Sequence, residues 1–172
     1  MNYPGLKKEY HKYKSFANRG MDLESLINQA NEYYLAYDLA IIYKKPTPIG
    51  IKKTNYKDGT LTGFFKEQST LDYNGIYKGY YIDFDAKETN SKTSFPLSNI
   101  HNHQLKHIES VIRHGGISFL IIHINNEVYL LDGNLIIEFI DNNDRKSIPY
   151  EYIKNNGIKI ELKVSPTLDY LS

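Results

Sequence analysis

Cysteine and tryptophan are both absent from the 172-residue chain. Without cysteine there is no disulfide framework, thiolate metal site or sulfur nucleophile, and the chain suits a reducing compartment. No stretch approaches the roughly 18 apolar residues that a membrane-spanning helix requires. Residues 1–20 are polar and basic, without the apolar centre of a signal peptide. A soluble, cytoplasmic protein with no membrane partner is therefore expected. A phosphate-cradling glycine loop and a nucleophile triad are also missing, which argues against a small-molecule α/β enzyme. What is present fits one folded domain: 41% apolar and 24% charged residues, at a length of one domain by the usual 100–200 residues each.

The formal net charge of +1 conceals a strong segregation. Residues 1–20 carry five Lys or Arg against one acid, and residues 21–43 carry four acids and no Lys or Arg. Residues 44–66 carry six lysines against one acid, and the remainder carries ten Lys or Arg against fourteen acids. Basic segments flanking an acidic body are found where a domain carries arms for a polyanion. Solvated lysines in a chain rich in Asn, Ile, Lys and Tyr would give the same counts, so charge alone leaves both readings open. The expected organisation is a flexible basic arm over residues 1–20 and a single domain over 21–172.

Between residues 22 and 37, Leu23, Leu26, Ile27, Ala30, Tyr34 and Tyr37 recur at helical spacing behind a potential cap, Asp22. A short strand over 38–43 follows, stopped by Lys45-Pro46-Thr47-Pro48. Residues 49–68 are lysine-rich and lack an apolar face, so they project as a hairpin or a mobile loop. A turn is expected at Asn74-Gly75, and a strand over 79–87. Asn99 can cap a helix reaching His114, and residues 117–124 form a central strand turned by Asn125-Asn126 into a partner over 127–131. Helices over about 135–141 and from 147 to 157, and a last strand over 158–164, complete a mixed α/β layer structure.

The chemistry concentrates on one strand. Alternation puts Asp83, Asp85 and Lys87 on one face, with Asp85 and Lys87 about 6–7 Å apart along the backbone. Asp72 can be delivered beside them. Two carboxylates with neutral oxygens suit a hard cation such as Mg²⁺, and a neighbouring lysine can orient water or stabilise charge on phosphorus. An acid, a gap, then acid-x-Lys is the minimal signature of restriction-endonuclease-like nucleases, although solvated Asp-x-Lys pairs are common on strands. Gln104 falls within the apolar stripe of Ile108, Val111 and Ile112, where it needs a metal, a metal-bound water or a backbone group. His103 and His107 share helical spacing but lack a third zinc ligand, and such pairs more often cap or face solvent.

Asn18-Arg19-Gly20, Lys44-Lys45-Pro46-Thr47-Pro48, Asp72-Tyr73-Asn74-Gly75, Tyr77-Lys78-Gly79, Ile82-Asp83-Phe84, Ala86-Lys87-Glu88-Thr89, Ser94-Phe95-Pro96-Leu97-Ser98-Asn99 and Arg145-Lys146-Ser147-Ile148-Pro149 resemble the RecU family of Holliday junction resolvases over nearly the whole chain. The resemblance implies a restriction-endonuclease-like core, a mixed β-sheet flanked by helices, with a protruding basic stalk at about 49–68. It implies a homodimer that cuts four-way DNA junctions by paired, Mg²⁺-dependent nicks in recombination and repair, with Mn²⁺ able to substitute. RecA and branch-migration proteins are implied partners. Carried over by match, Thr70, Asp72, Asp85 and Gln104 would hold the metal; Asp72, Asp85 and Lys87 would be catalytic. Arg19, Lys44, Lys45, Lys52, Lys53, Lys57 and Lys66 are the candidate DNA contacts.

Three departures stand out. The acid before Ala86-Lys87 is usually Glu in that family and is Asp85 here, which bears on metal preference and rate. The arm before Asn18 is short, and the regions around 125–126 and 133–144 are trimmed, which bears on DNA affinity. The rival reading is a catalytically weak junction-binding or RecA-modulating protein on the same fold. Residues 117–124 and the first helix, both apolar, are expected to supply dimer contacts.

Overall fold

The computed structural model describes residues 22–46, 48–65 and 70–172. The expected arm over residues 1–20, with Arg19, lies outside them, as does Lys66. Helix α1 (Leu23–Ala36) begins at the foreseen cap, where the Asp22 carboxylate accepts the Ser25 N–H at 2.7 Å. A second first-turn donor, the Leu23 N–H, is taken by Glu88 Oε1 at 2.8 Å, so the helix entry is tied to the sheet. Its stripe of Leu23, Leu26, Ile27, Ala30 and Tyr34 is buried. Asp38, at φ 56°, turns the chain into β1 (Ala40–Lys44).

Strands β2 (Ile49–Asn55) and β3 (Thr60–Phe65) pair with each other in a two-stranded sheet of their own. Of the two readings of residues 49–68, the hairpin is the one observed over the described residues 49–65. Gly50 admits the Phe64 ring against the neighbouring strand, since a Cβ there would stand 2.7 Å from a ring carbon.

The main sheet continues with β4 (Tyr73–Tyr77) and β5 (Tyr80–Glu88). Asn74-Gly75, expected as a turn, lies inside β4: a Cβ on Gly75 would fall 2.0 Å from the Ile41 carbonyl oxygen. The glycine therefore serves a close approach of backbones, and the turn falls at Lys78-Gly79, with φ 49° and 84°. After β6 (Ser94–Pro96) and a 3₁₀ turn at Leu97–Asn99, α2 (Asn102–Arg113) is capped by His101, not Asn99. Strand β7 (Ile117–Ile124) turns through Asn125-Asn126, both at positive φ, into β8 (Glu127–Asp132). Helix α3 (Gly133–Asp141) follows. Residues 147–149 form a strand, β9 (Ser147–Pro149), paired with β6, so α4 (Tyr150–Asn156) starts later than the sequence suggests. The last strand, β10 (Ile158–Lys159), has two residues instead of spanning 158–164.

The six-stranded sheet has the order β1-β4-β5-β7-β8-β10. Only β5 and β7 run parallel, joined by a crossover that carries α2. Alternation along β7 sends Phe119 and Ile121 to the α1 face, and Leu120, Ile122 and Ile124 to the face covered by α2, α3 and α4. On the α1 face Tyr73, Phe84 and Phe119 stack with centroids 4.9 and 4.6 Å apart. This central placement corrects the expected dimer role of 117–124: β7 is flanked by β5 and β8 and, apart from the exposed Ile117, its apolar residues are buried in the core.

Candidate active site

Strand β5 directs Ile82, Phe84 and Ala86 toward α1, and Asp83, Asp85 and Lys87 toward the α2 side. Both Asp83 and Asp85 are completely buried. Charges taken out of water must be paired and hydrogen-bonded, and each acid has its own set of partners. Helix α2 supplies one to each: Gln104 and His107, three residues apart on the helix, meet Asp85 and Asp83, two apart on the strand.

Asp85 Oδ2 accepts from Gln104 Nε2 at 2.7 Å and lies 2.9 Å from Lys87 Nζ. Its other oxygen, Oδ1, is buried with no hydrogen-bond partner. Burial pushes the Asp85 carboxyl up to about 6; Lys87 opposes this and the neighbouring Asp72 adds to it. Gln104 has a second bond that explains its inward position. Its Oε1 accepts the His101 N–H at 3.1 Å as part of a capping box, so it meets both a backbone group and a buried acid.

Asp83 is the most heavily partnered acid here. Lys45 Nζ donates to Oδ1 and Oδ2 at 2.8 and 2.7 Å, the Tyr81 hydroxyl donates to Oδ2 at 2.6 Å, and His107 Nε2 lies 2.9 Å from Oδ2. Lys45 Nζ also donates to Thr70 Oγ1 at 3.1 Å, and the Lys45 N–H to the Asp72 carbonyl at 2.7 Å. Lys87 and Gln104 thus meet at Asp85 with Asp72 nearby, while Thr70 is tied through Lys45 to Asp83.

The candidate DNA contacts are placed differently from one another. Lys52, Lys53 and Lys57 are exposed on the hairpin, and Lys44 pairs with Glu24 of α1. Lys45 faces inward, its side chain 20% exposed and its ammonium engaged by Asp83 and Thr70. Asp83 and its ring of partners were missed in the sequence. The signal available was that Asp83 shares the face of Tyr81, Asp85 and Lys87; its other two partners, His107 and Lys45, lie 24 and 38 positions away. Among the described residues no group of three or more His, Cys, Asp or Glu is placed to hold a metal ion. The site's oxygen donors are two carboxylates and a hydroxyl, of the kind Mg²⁺ commonly uses; Gln104, implied as a fourth ligand by the resemblance, instead turns its Nε2 to Asp85 and its Oε1 to the His101 N–H.

The Recombination protein U (RecU) family matches residues 18–172. The chain belongs to the RecU family. It is 48% identical over 167 residues to the Holliday junction resolvase RecU of Geobacillus sp. (strain WCH70), across 92% of this chain and 83% of that protein. Identity to the Holliday junction resolvase RecU of Streptococcus equi subsp. equi is 44% over 175 residues, across 98% and 87% of the two chains. The RecU of Bacillus cytotoxicus is 45% identical over 175 residues, across 96% and 88%. Among solved structures, Archaeoglobus fulgidus Hjc, a Holliday junction resolvase, aligns with a TM-score of 0.42 at 8% identity, covering 76% of this chain and 89% of Hjc. The RecU match spans β5, α2 and the hairpin, so the site and the projecting strands belong to one family unit.

Proposed function

We infer that this chain is a divalent-metal-dependent endonuclease that resolves four-way DNA junctions, acting as a homodimer in the cytoplasm with one site on each of two opposed strands. The observation that carries the reading is the state of Asp85. Its Oδ2 is gripped from two sides while its buried Oδ1 has no partner. A buried carboxylate oxygen left bare is costly, and a cation would supply what it lacks. Asp72, Asp85 and Thr70 fit an oxygen-preferring cation such as Mg²⁺, with Gln104 holding Asp85 in place. Bound there, the cation would polarise the scissile phosphate and lower the pKa of an attacking water.

The chain's own residues do the rest. Lys87, 18% exposed, stands at the rim of the buried acid, where its ammonium can donate to the scissile phosphate and stabilise its growing negative charge. Asp72 and Asp85 hold negative charge that also orients the nucleophile. The names of the RecU relatives support the junction as substrate, and RecA and branch-migration proteins remain proposed partners. The test is an end-labelled four-way junction and a linear duplex of the same sequence, each incubated with Mg²⁺ or EDTA and run on a denaturing gel. Paired symmetric nicks in the junction with Mg²⁺ alone are expected; binding without nicks in either Mg²⁺ or Mn²⁺ would favour the non-catalytic reading.

The hairpin is proposed to enter the junction. Removing residues 52–63 takes away Lys52, Lys53 and Lys57 and no core side chain. Nicking chemistry should survive, preference for junction over duplex should fall, and the slope of log affinity against log salt should drop by roughly 2–3. An unchanged affinity ratio and slope would assign the hairpin no part in DNA binding.

For the dimer, the sheet offers an uncovered apolar patch. Register places Ile41, Ile76 and Tyr81 side by side on the face opposite α1, and all three are more than 40% exposed. An exposed patch of this kind marks an interaction surface. Ile76→Asp is expected to shift a micromolar sample from dimer to monomer by light scattering, with the circular dichroism spectrum unchanged.

A further inference from the structure

The polypeptide leaves the main sheet for the hairpin just after Lys45 and returns at Thr70. Lys45 grips both residues of the return that bear on the site. Its main-chain N–H donates to the Asp72 carbonyl at 2.7 Å and its Nζ to Thr70 Oγ1 at 3.1 Å. The same Nζ is bound by both oxygens of Asp83. Asp83 is a fixed anchor: it is completely buried on the central strand β5, and Tyr81, on that strand, and His107, on α2, hold its carboxylate. Its own carbonyl accepts from the Ser118 hydroxyl of β7 at 2.8 Å. Thr70 and Asp72, by contrast, lie in the irregular stretch just before β4. Lys45 is the link between the rigid anchor and that stretch.

We propose that Lys45 is a positioning residue: braced on Asp83, it sets Thr70 and Asp72 in register with Asp85, so that the oxygens for the cation converge. Its side chain is 20% exposed and its ammonium is enclosed by oxygens, so it acts through the site's geometry and not as a phosphate contact like the exposed hairpin lysines. The proposal rests on the reading of Thr70, Asp72 and Asp85 as a divalent-metal centre. Outer-shell groups that orient metal ligands contribute roughly 10–100-fold in affinity or activity, which sets the size of the expected effect.

The test compares wild type, Lys45→Arg, Lys45→Met and the double variant Lys45→Met with Asp83→Asn. Lys45→Met alone leaves a buried acid without its cation and can fail to fold; the double variant removes charge and countercharge together. Mn²⁺ binding to the DNA-free protein is followed by electron paramagnetic resonance. Cleavage of a four-way junction is measured against both Mg²⁺ and junction concentration, and folding is checked by thermal unfolding.

The folded double variant is expected to bind Mn²⁺ roughly 10–100-fold more weakly and to need correspondingly more Mg²⁺ for half-maximal cleavage. Its KM for the junction should stay within about twofold of wild type, because the spread phosphate contacts remain. Lys45→Arg, which keeps the charge, should recover most of the loss. A folded double variant with wild-type Mn²⁺ affinity would overturn the proposal. So would a raised KM with an unchanged Mg²⁺ requirement, which would make Lys45 a DNA contact. Wild-type protein that binds Mn²⁺ at this site but cuts no junction would overturn the resolvase reading instead, and the Mn²⁺ comparison would still decide the role of Lys45.

Discussion

Asp72→Ala is expected to lower junction cleavage by roughly 10³-fold or more while junction affinity in EDTA stays within about threefold of wild type. The two quantities separate because they rest on different physics. Affinity is the sum of many dispersed phosphate contacts, and the exposed lysines of the hairpin are untouched by the substitution. Cleavage depends on a single assembled set of oxygens, and a loss of about 4 kcal/mol of transition-state stabilisation already gives three decades in rate. Lys87→Ala should show the same split. It removes the ammonium 2.9 Å from Asp85, so Asp85 also loses the cation that opposes its burial. Single-turnover cleavage beside a gel shift in EDTA measures both. Near-wild-type nicking by Asp72→Ala would remove this carboxylate from the site.

The Asp85 series has the second large effect, and here stability and activity should move in opposite directions. Burial pushes this carboxyl up to about 6, well above its ordinary 3.8. The folded protein therefore holds the proton more tightly than the unfolded chain does. The sign follows: stability associated with this group is fully present below about pH 4, is lost as pH rises through about 6, and is flat beyond. Asp85→Asn removes that cost, so the metal-free variant should be more stable than wild type at pH 7.5, by about 1–2 kcal/mol. The same substitution should nearly abolish cleavage because the negative charge is gone. Ionisation is also a condition for holding a cation, so the Mg²⁺ concentration for half-maximal cleavage should rise as pH falls below about 6.

Asp85→Glu should keep or raise Mg²⁺-dependent activity. The aspartate is one methylene, roughly 1.5 Å, shorter than the glutamate of the resembling family, against a tolerance of about 0.2 Å in a metal–ligand bond. Mg²⁺ demands near-ideal octahedral geometry, so wild type should cut faster in Mn²⁺ than in Mg²⁺ at equal concentration. A rate series of both variants in both metals checks this. An Asp85→Glu protein as inactive as Asp85→Asn would mean that the pocket is built around the shorter acid.

The parts of the fold written in local periodicity were legible. The stripe of α1 with its Asp22 cap, the alternation of β5, the apolar run of β7 and the Asn125-Asn126 turn all appear where a period of 3.6 or 2 places them. What escaped was set by distant partners. Asn74-Gly75 has the composition of a turn, yet the glycine is required by the Ile41 backbone on another strand. The three-residue strands β6 and β9 are too short to carry a pattern and exist because they pair with each other. The site followed the same division. Asp85, Lys87 and Gln104 could be read from a strand face and a helix stripe. Lys45 looked like any other lysine of a basic segment until the fold set it against Asp83.

The account stands most directly on one ratio, the single-turnover rate of wild type over that of Asp85→Asn on a four-way junction in saturating Mg²⁺, with both proteins shown by gel shift in EDTA to bind the junction equally. The buried carboxylate with its unpartnered oxygen predicts a ratio of roughly 10³ or more, with paired nicks from wild type only. A ratio within tenfold, at equal binding, would contradict it and move the chemistry to other residues.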